Sequence, residues 1–149
     1  MAWGTTVPAA KAALTSIFDA ALDITVQNSR GIGSSGARDV LIVGYQSEDV
    51  PSVEGRFTAE KFGVNPLRDQ YVIHNRIMVV KGSADILKAE TRAFALLAGA
   101  GATLAANPTL TGLVMVASAG AYSLIPSQDT RGAYVVLQFD VDINAFTTV

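Results

Sequence analysis

Apolar residues recur at helical spacing near the start of the chain: Ala10, Leu14, Ile17, Phe18 and Ala21 share one face of a 3.6-residue repeat. The spacing predicts a helix over Val7 to Leu22. Pro8 suits its first turn, where a missing N–H leaves nothing unpaired, and Thr5 or Thr6 can cap it. Ile24 to Gln27 then reads as a short strand. Arg30 to Arg38 is a Gly/Ser loop, and Asp39 to Tyr45 is a second strand that could form a hairpin with the first.

From Gln46 to Asp69 no period is sustained. This stretch holds Pro51, Gly55, Gly63 and Pro66, together with five acidic and three basic residues, so the net charge of −2 resides here. A long aperiodic run inside a compact domain is usually functional or disordered. Gln70 to Lys81 returns to strand alternation, with Ile73, Ile77 and Val79 on one face and His74, Arg76, Met78 and Val80 on the other. Ser83 is the expected N-cap of a second helix running to about Ala105, its buried stripe supplied by Ile86, Ala93, Phe94, Leu97 and Leu104. Gly99 and Gly101 weaken that helix by about 1 kcal/mol each relative to alanine, so they either permit close packing or end it early.

Asn107 to Gly112 is a turn, Leu113 to Ile125 a strand bent near Gly120, and Pro126 to Gly132 a polar loop. Ala133 to Ala145 gives the clearest alternation: Val135, Leu137, Phe139, Val141, Ile143 and Ala145 against a mostly polar opposite face. The expected order is α-β-β-(long loop)-β-α-β-β. The fold class is α+β: a mixed, mainly antiparallel sheet with two helices on one face, in a single domain over residues 1–149.

Composition narrows the function. Only 16% of residues are charged, below the roughly 25% typical of soluble domains. Abundant alanine accounts for part of that, and surface covered by partners is the other explanation. With a net charge of −2 there is no basic field for nucleic acid. The absence of cysteine removes disulfides and Cys-based zinc sites. Met1 to Pro8 lacks the basic and apolar regions of a signal peptide, and the apolar tract Ala93 to Ala106 is shorter than the roughly 20 residues of a membrane span. The expectation is a soluble protein made in a cytoplasm.

Chemistry-bearing motifs are few. Gly31-Ile32-Gly33-Ser34-Ser35-Gly36 matches G-x-G-x-x-G but leads into a strand, whereas a dinucleotide site needs it to open a helix. His74 is the only histidine, so it would have to supply every imidazole role of a catalytic site. Asp140, Asp142 and Asn144 could together take a hard cation, and equally form the wet face of an amphipathic strand. The expectation is no enzyme, no cofactor and no metal. Arg56, Lys61, Arg68, Arg76, Arg92 and Arg131 are scattered among acids, a pattern suited to ion pairs at subunit contacts. Trp3 and Phe57 lie in segments without core periodicity; Trp3 reads as tucked against the body, Phe57 equally as a partner anchor.

The second half carries a resemblance. The strand YVIHNRIMVVKG precedes a helix beginning SADILKAETRAFALL; the NPTLTG turn follows, then LVMVAS, Gln128 before a Gly-Ala step, and the close RGAYVVLQFDVDINAF. This resembles the tail terminator (tail completion, or minor tail) proteins of long-tailed bacteriophages. The resemblance covers most of the chain in element order. The N-terminal half matches in layout alone, and the Gly31–Gly36 loop has no counterpart in the family pattern. It implies a virion protein at the head-proximal end of the tail: a ring, typically a hexamer, that caps the tail tube, ends its polymerisation and offers the head-docking surface. The implied partners are other copies of the chain, the tail tube protein, the head–tail connector protein and the tape measure protein.

On that reading Glu48, Asp49, Glu54, Arg56, Phe57, Glu60 and Lys61 are expected at contacts with neighbours, with His74 and Arg76 on a subunit-contact face of their strand. Removing Val50 to Phe62 is expected to leave a folded monomer that cannot cap tails. The alternatives are a head-completion or connector-adaptor subunit, a tail tube subunit, or a small ligand-binding domain using the Gly31–Gly36 loop.

Overall fold

The computed structural model describes residues 4–29, 39–47, 50–59, 67–80, 86–129 and 132–147. Eight elements follow one another: α1 (Val7–Ala21), β1 (Thr25–Asn28), β2 (Asp39–Val43), β3 (Val53–Thr58), β4 (Arg68–Val80), α2 (Ile86–Ala106), β5 (Val116–Asp129) and β6 (Gly132–Phe146). The class is α+β, with two helices and a mixed, mostly antiparallel six-stranded sheet.

Alternation decides which side of the sheet is buried. Tyr71, Ile73, Ile77 and Val79 of β4 and the odd-numbered residues of β6 from Val135 to Ala145 join Ala10, Leu14 and Phe18 of α1 and Ala89, Ala93, Leu96, Ala100 and Leu104 of α2 in one core cluster. Phe18 meets Phe139 edge-on, with ring centroids 6.3 Å apart. Each fully buried side chain of the size of Ile77 or Leu137 contributes about 1.5–3 kcal/mol through water released from its surface. Even-numbered residues of β4 and β6 form the opposite, outer face, which carries a smaller cluster of Val40, Ile42 and Tyr45 with Met78 against it.

Thr6 is the N-cap residue of α1 but makes no side-chain capping bond. Thr5 Oγ1 accepts the Val7 N–H at 3.2 Å and donates to Asp69 at 2.6 Å. Thr6 directs its hydroxyl to the Tyr71 phenol at 2.8 Å, tying the helix to β4.

Several expectations need correction. The Gln46–Asp69 stretch is not one loop: it contains β3, and β4 begins inside it at Arg68. Strand β3 escapes sequence detection because Glu54, Gly55 and Arg56 interrupt any apolar alternation; pairing to β4 along Val53↔Ile73 through Thr58↔Arg68 makes it a strand. Deleting Val50 to Phe62 would therefore remove a sheet strand and not just a connecting loop.

β1 and β2 pair in parallel, not as a hairpin. The direction of β1 follows from its position beside α1, where Ile24 and Val26 pack on the core. The expected polar loop does not begin at Pro126, since β5 runs on to Asp129 and Pro126 pairs with Val135. Proline is tolerated there because β5 is an edge strand.

Helix α2 keeps Ala93, Leu97 and Leu104 of the expected stripe against the core but departs from it at Phe94. Ala89, Ala93, Leu96, Ala100 and Leu104 are buried, while Phe94 is exposed. The helix passes through both glycines, and a Cβ on Gly99 would lie 2.9 Å from Leu22 Cδ2, so this glycine lets the end of α1 pack closely. Ser83, the expected N-cap, lies outside the described residues, as do the Gly31–Gly36 motif and Trp3.

The Asn107–Gly112 turn forms. Leu110 and Thr111 hold φ of 49° and 62°, and Leu110 is buried as a plug. The strained backbone is held by Gly112 N–H bonding back to Thr109 and by the Pro108 carbonyl, which accepts the Ala117 N–H at 2.7 Å.

Candidate functional site

Strands β2 and β3 lie end to end along one edge of β4. β2 pairs with residues 75–79 and β3 with residues 68–73. Between them the chain leaves the ladder, and His74 holds both ends of the excursion: its carbonyl accepts the Tyr45 N–H at 2.8 Å and its N–H donates to the Ser52 carbonyl at 3.1 Å. Gly44, at φ +70°, starts the departure, and a Cβ there would strike Lys11 and Ser52. Asn75, fully buried on the core side, accepts the Gly44 N–H at 3.2 Å and donates to the carbonyls of Ile73 and Phe139. The Ser52 hydroxyl closes the neck by donating to the Gly44 carbonyl at 2.9 Å, and Lys11 Nζ donates to Ser52 at 3.3 Å. Burial pushes the Lys11 ammonium below its ordinary pKa.

Alternation turns the His74 side chain to the outer face, opposite Asp140 of β6. Nδ1 lies 2.8 Å from Asp140 Oδ1, and Nε2 lies 3.1 Å from Glu54 Oε1 of β3. The imidazole therefore spans three strands with a carboxylate at each nitrogen. It forms one wall of a shallow concavity of about 280 Å³, which Pro51, Tyr122, Ser123 and Gln138 also line. A broader trough of about 520 Å³ continues along the same face past Arg56, Gln70, Asp142 and Asn144.

Arg76 is the next outward residue of β4. Its guanidinium carbon stands 3.7 Å from the centre of the Tyr45 ring, and its Nε is buried without a hydrogen-bond partner. Burial lowers its pKa from the ordinary value, an effect the neighbouring Tyr45 opposes. Among the described residues no carboxylate reaches it within ion-pair distance. Arg92, by contrast, bridges Asp23 at 2.9 Å and Asp39 at 3.3 Å. The pairing raises the Arg92 pKa and lowers that of Asp23.

The sheet edge at β5 presents a different chemistry. Met115, Val116, Tyr122, Ile125 and, at the end of β6, Phe146 are each between 41% and 64% exposed. Tyr122 stands edge-on to Phe94, with centroids 6.2 Å apart. A register shift between Ala119 and Tyr122 bends the strand, and a Cβ on Gly120 would fall 2.7 Å from the Asp142 carboxylate.

Of the residues expected at contacts, the fold brings Glu54 and His74 together and places Arg56 and Arg76 on the same outer face. Phe57, half-buried, alternates to the other side of β3. Glu48, Asp49, Glu60 and Lys61 lie outside the described residues. Sequence reasoning missed two participants. Asp140 was read beside Asp142 and Asn144 on its own strand, but its partner is His74, 66 residues away. Tyr45 was read simply as the end of a strand. Neither pairing leaves a local sequence signal, because each depends on strand register.

Among the described residues, no group of three or more His, Cys, Asp or Glu is placed to hold a metal ion, and no helix is long and apolar enough to cross a membrane. The chain matches no known family model, and no curated protein matches it.

Proposed function

We propose that this chain is a structural virion protein of the tail terminator type. Copies form a ring, six in the family's usual arrangement, that caps the tail tube of a long-tailed phage, ends its polymerisation and offers the surface to which the head docks. The C-terminal motifs give the reading its direction. The observation that carries it is the β5 edge, where Val116, Tyr122 and Ile125 are exposed along a strand with one open side and Met115 and Phe146 extend the apolar patch.

Native proteins normally guard such an edge with charge or cover it. From Val116 to Gln128 this one carries no charged residue. Its protection is the Ala119–Tyr122 bulge and Pro126. Covering by a neighbouring subunit explains why that edge is left apolar. We further read both helices as packed on one face of the sheet, which leaves the outer face and the β5 edge for partners.

The function is assembly, not turnover, and it needs no cofactor. The test is electron microscopy of phage particles made with this gene silenced. Headless tails of excessive and irregular length support the terminator reading. Tails of normal length joined to heads refute it. A tail tube subunit would instead leave no tubes at all, and a connector adaptor would leave normal tails detached from filled heads.

A further inference from the structure

His74 and Arg76 are two residues apart on one face of β4, yet the fold treats them differently. Both His74 nitrogens face carboxylates of the same chain. Arg76 is half-buried against Tyr45 with an orphaned Nε, and no carboxylate of the described residues meets it. A cation held partly out of water is normally balanced by an anion, because desolvation without pairing is costly. The aromatic contact offsets only part of this, about 0.5–2 kcal/mol in general. Arg56 on the neighbouring strand, also without an ion-pair partner among the described residues, is exposed and keeps its water.

We propose that Arg76, stacked on Tyr45, is the docking point for a carboxylate of a second copy of this chain. This rests on the ring reading above and names the contact within it. The chain carries suitable anions: Asp19 on α1 and Asp142 on β6 are both exposed and without an ion-pair partner among the described residues. Symmetry chooses between them. Asp142 shares the outer face with Arg76, and apposing two outer faces about a two-fold axis brings each Arg76 to the other copy's Asp142, a reciprocal contact that stops at a dimer. Asp19 lies on a helix whose buried residues pack on the opposite side of the sheet, so its meeting with Arg76 is head-to-tail and can close into a ring. Asp19 is therefore the assigned partner.

Sedimentation of the full chain over rising concentration tests the pairing, with Arg76→Glu expected to weaken assembly at least tenfold and Asp19→Arg in the same chain expected to restore it. Because the chain has no cysteine, a second measurement is clean even for a transient contact. Gln138→Cys, beside Arg76, with Ser16→Cys, one turn from Asp19, leaves both charges in place and, treated with a short bismaleimide, should give a ladder of covalent oligomers that ends at one size.

Arg76→Met separates docking from folding. The isolated monomer should melt no lower than wild type, while assembly is lost. Assembly of Arg76→Glu equal to wild type overturns the proposal and leaves the ring reading standing. Rescue of Arg76→Glu by Asp142→Arg, with sedimentation that stops at dimers, overturns both. A wild-type chain that stays monomeric in sedimentation at every concentration also removes both.

Discussion

Asn75 is the residue whose replacement tests the account of the β2–β3 excursion most directly. It is fully buried, and its amide makes three hydrogen bonds: from Gly44 N–H at 3.2 Å, to Ile73 at 3.0 Å and to Phe139 at 3.2 Å. Asn75→Ala removes all three and strands the Gly44 N–H away from water. Each bond contributes about 0.5–1.5 kcal/mol net, and an unsatisfied buried donor costs about 1–3 kcal/mol, so a total loss of roughly 2–4 kcal/mol is expected. For a chain of this length, each kcal/mol lowers the melting temperature by about 2–4 °C.

Urea denaturation followed by circular dichroism measures the loss. Hydrogen exchange at Gly44 locates it, since that amide should lose its protection before the neighbouring β2 amides do. Asn75→Asp sharpens the test. The carboxylate can still accept from Gly44, but it faces two carbonyl oxygens, so the variant should be at least as unstable as Asn75→Ala near neutral pH. A loss under about 1 kcal/mol for Asn75→Ala, with Gly44 still protected, would refute the idea that this amide pins the excursion.

Four further outcomes rest on the same geometry. Gly55→Ala should cost about 1–3 kcal/mol in urea denaturation, because the new methyl would lie 2.6 Å from Tyr71 Cβ and 3.0 Å from the Gln70 carbonyl; Gly120→Ala should cost less, since the Asp142 carboxylate it meets can swing away. Gly101→Ala should stabilise the fold by about 0.4–1 kcal/mol, because nothing lies within 4 Å of the added methyl and α2 gains helix propensity. The Tyr71 phenol is pushed up to about 12, mainly by burial, from an ordinary value of 10.0. Above pH 10 the unfolded chain releases this proton before the folded one does, so stability should fall as pH rises from about 10 to 12; in Tyr71→Phe that alkaline slope should flatten, as read by melting temperature against pH.

The sequence by itself determined the elements with a strong period. The alternation of β4 fixed Ile73, Ile77 and Val79 inward and His74, Arg76 and Met78 outward, and the long alternation of β6 fixed its buried face. Helix α1 was legible from its apolar stripe, and the Asn107–Gly112 turn from its proline and glycine. These features are local, because a side chain's face depends only on its place in a repeat.

What only the tertiary structure decided depends on register between distant strands. β3 exists because β4 offers it an open edge, and its own Glu-Gly-Arg run gives no such signal. The inward face of α2 turned on alanines that pack closely against the sheet, so the larger Phe94 was displaced outward to meet Tyr122. The same holds for the outer face. His74 found Asp140 and Glu54, and Arg76 found Tyr45, only once four strands were aligned, because hydrogen bonding across a sheet joins residues by position in space and leaves no trace in their spacing along the chain.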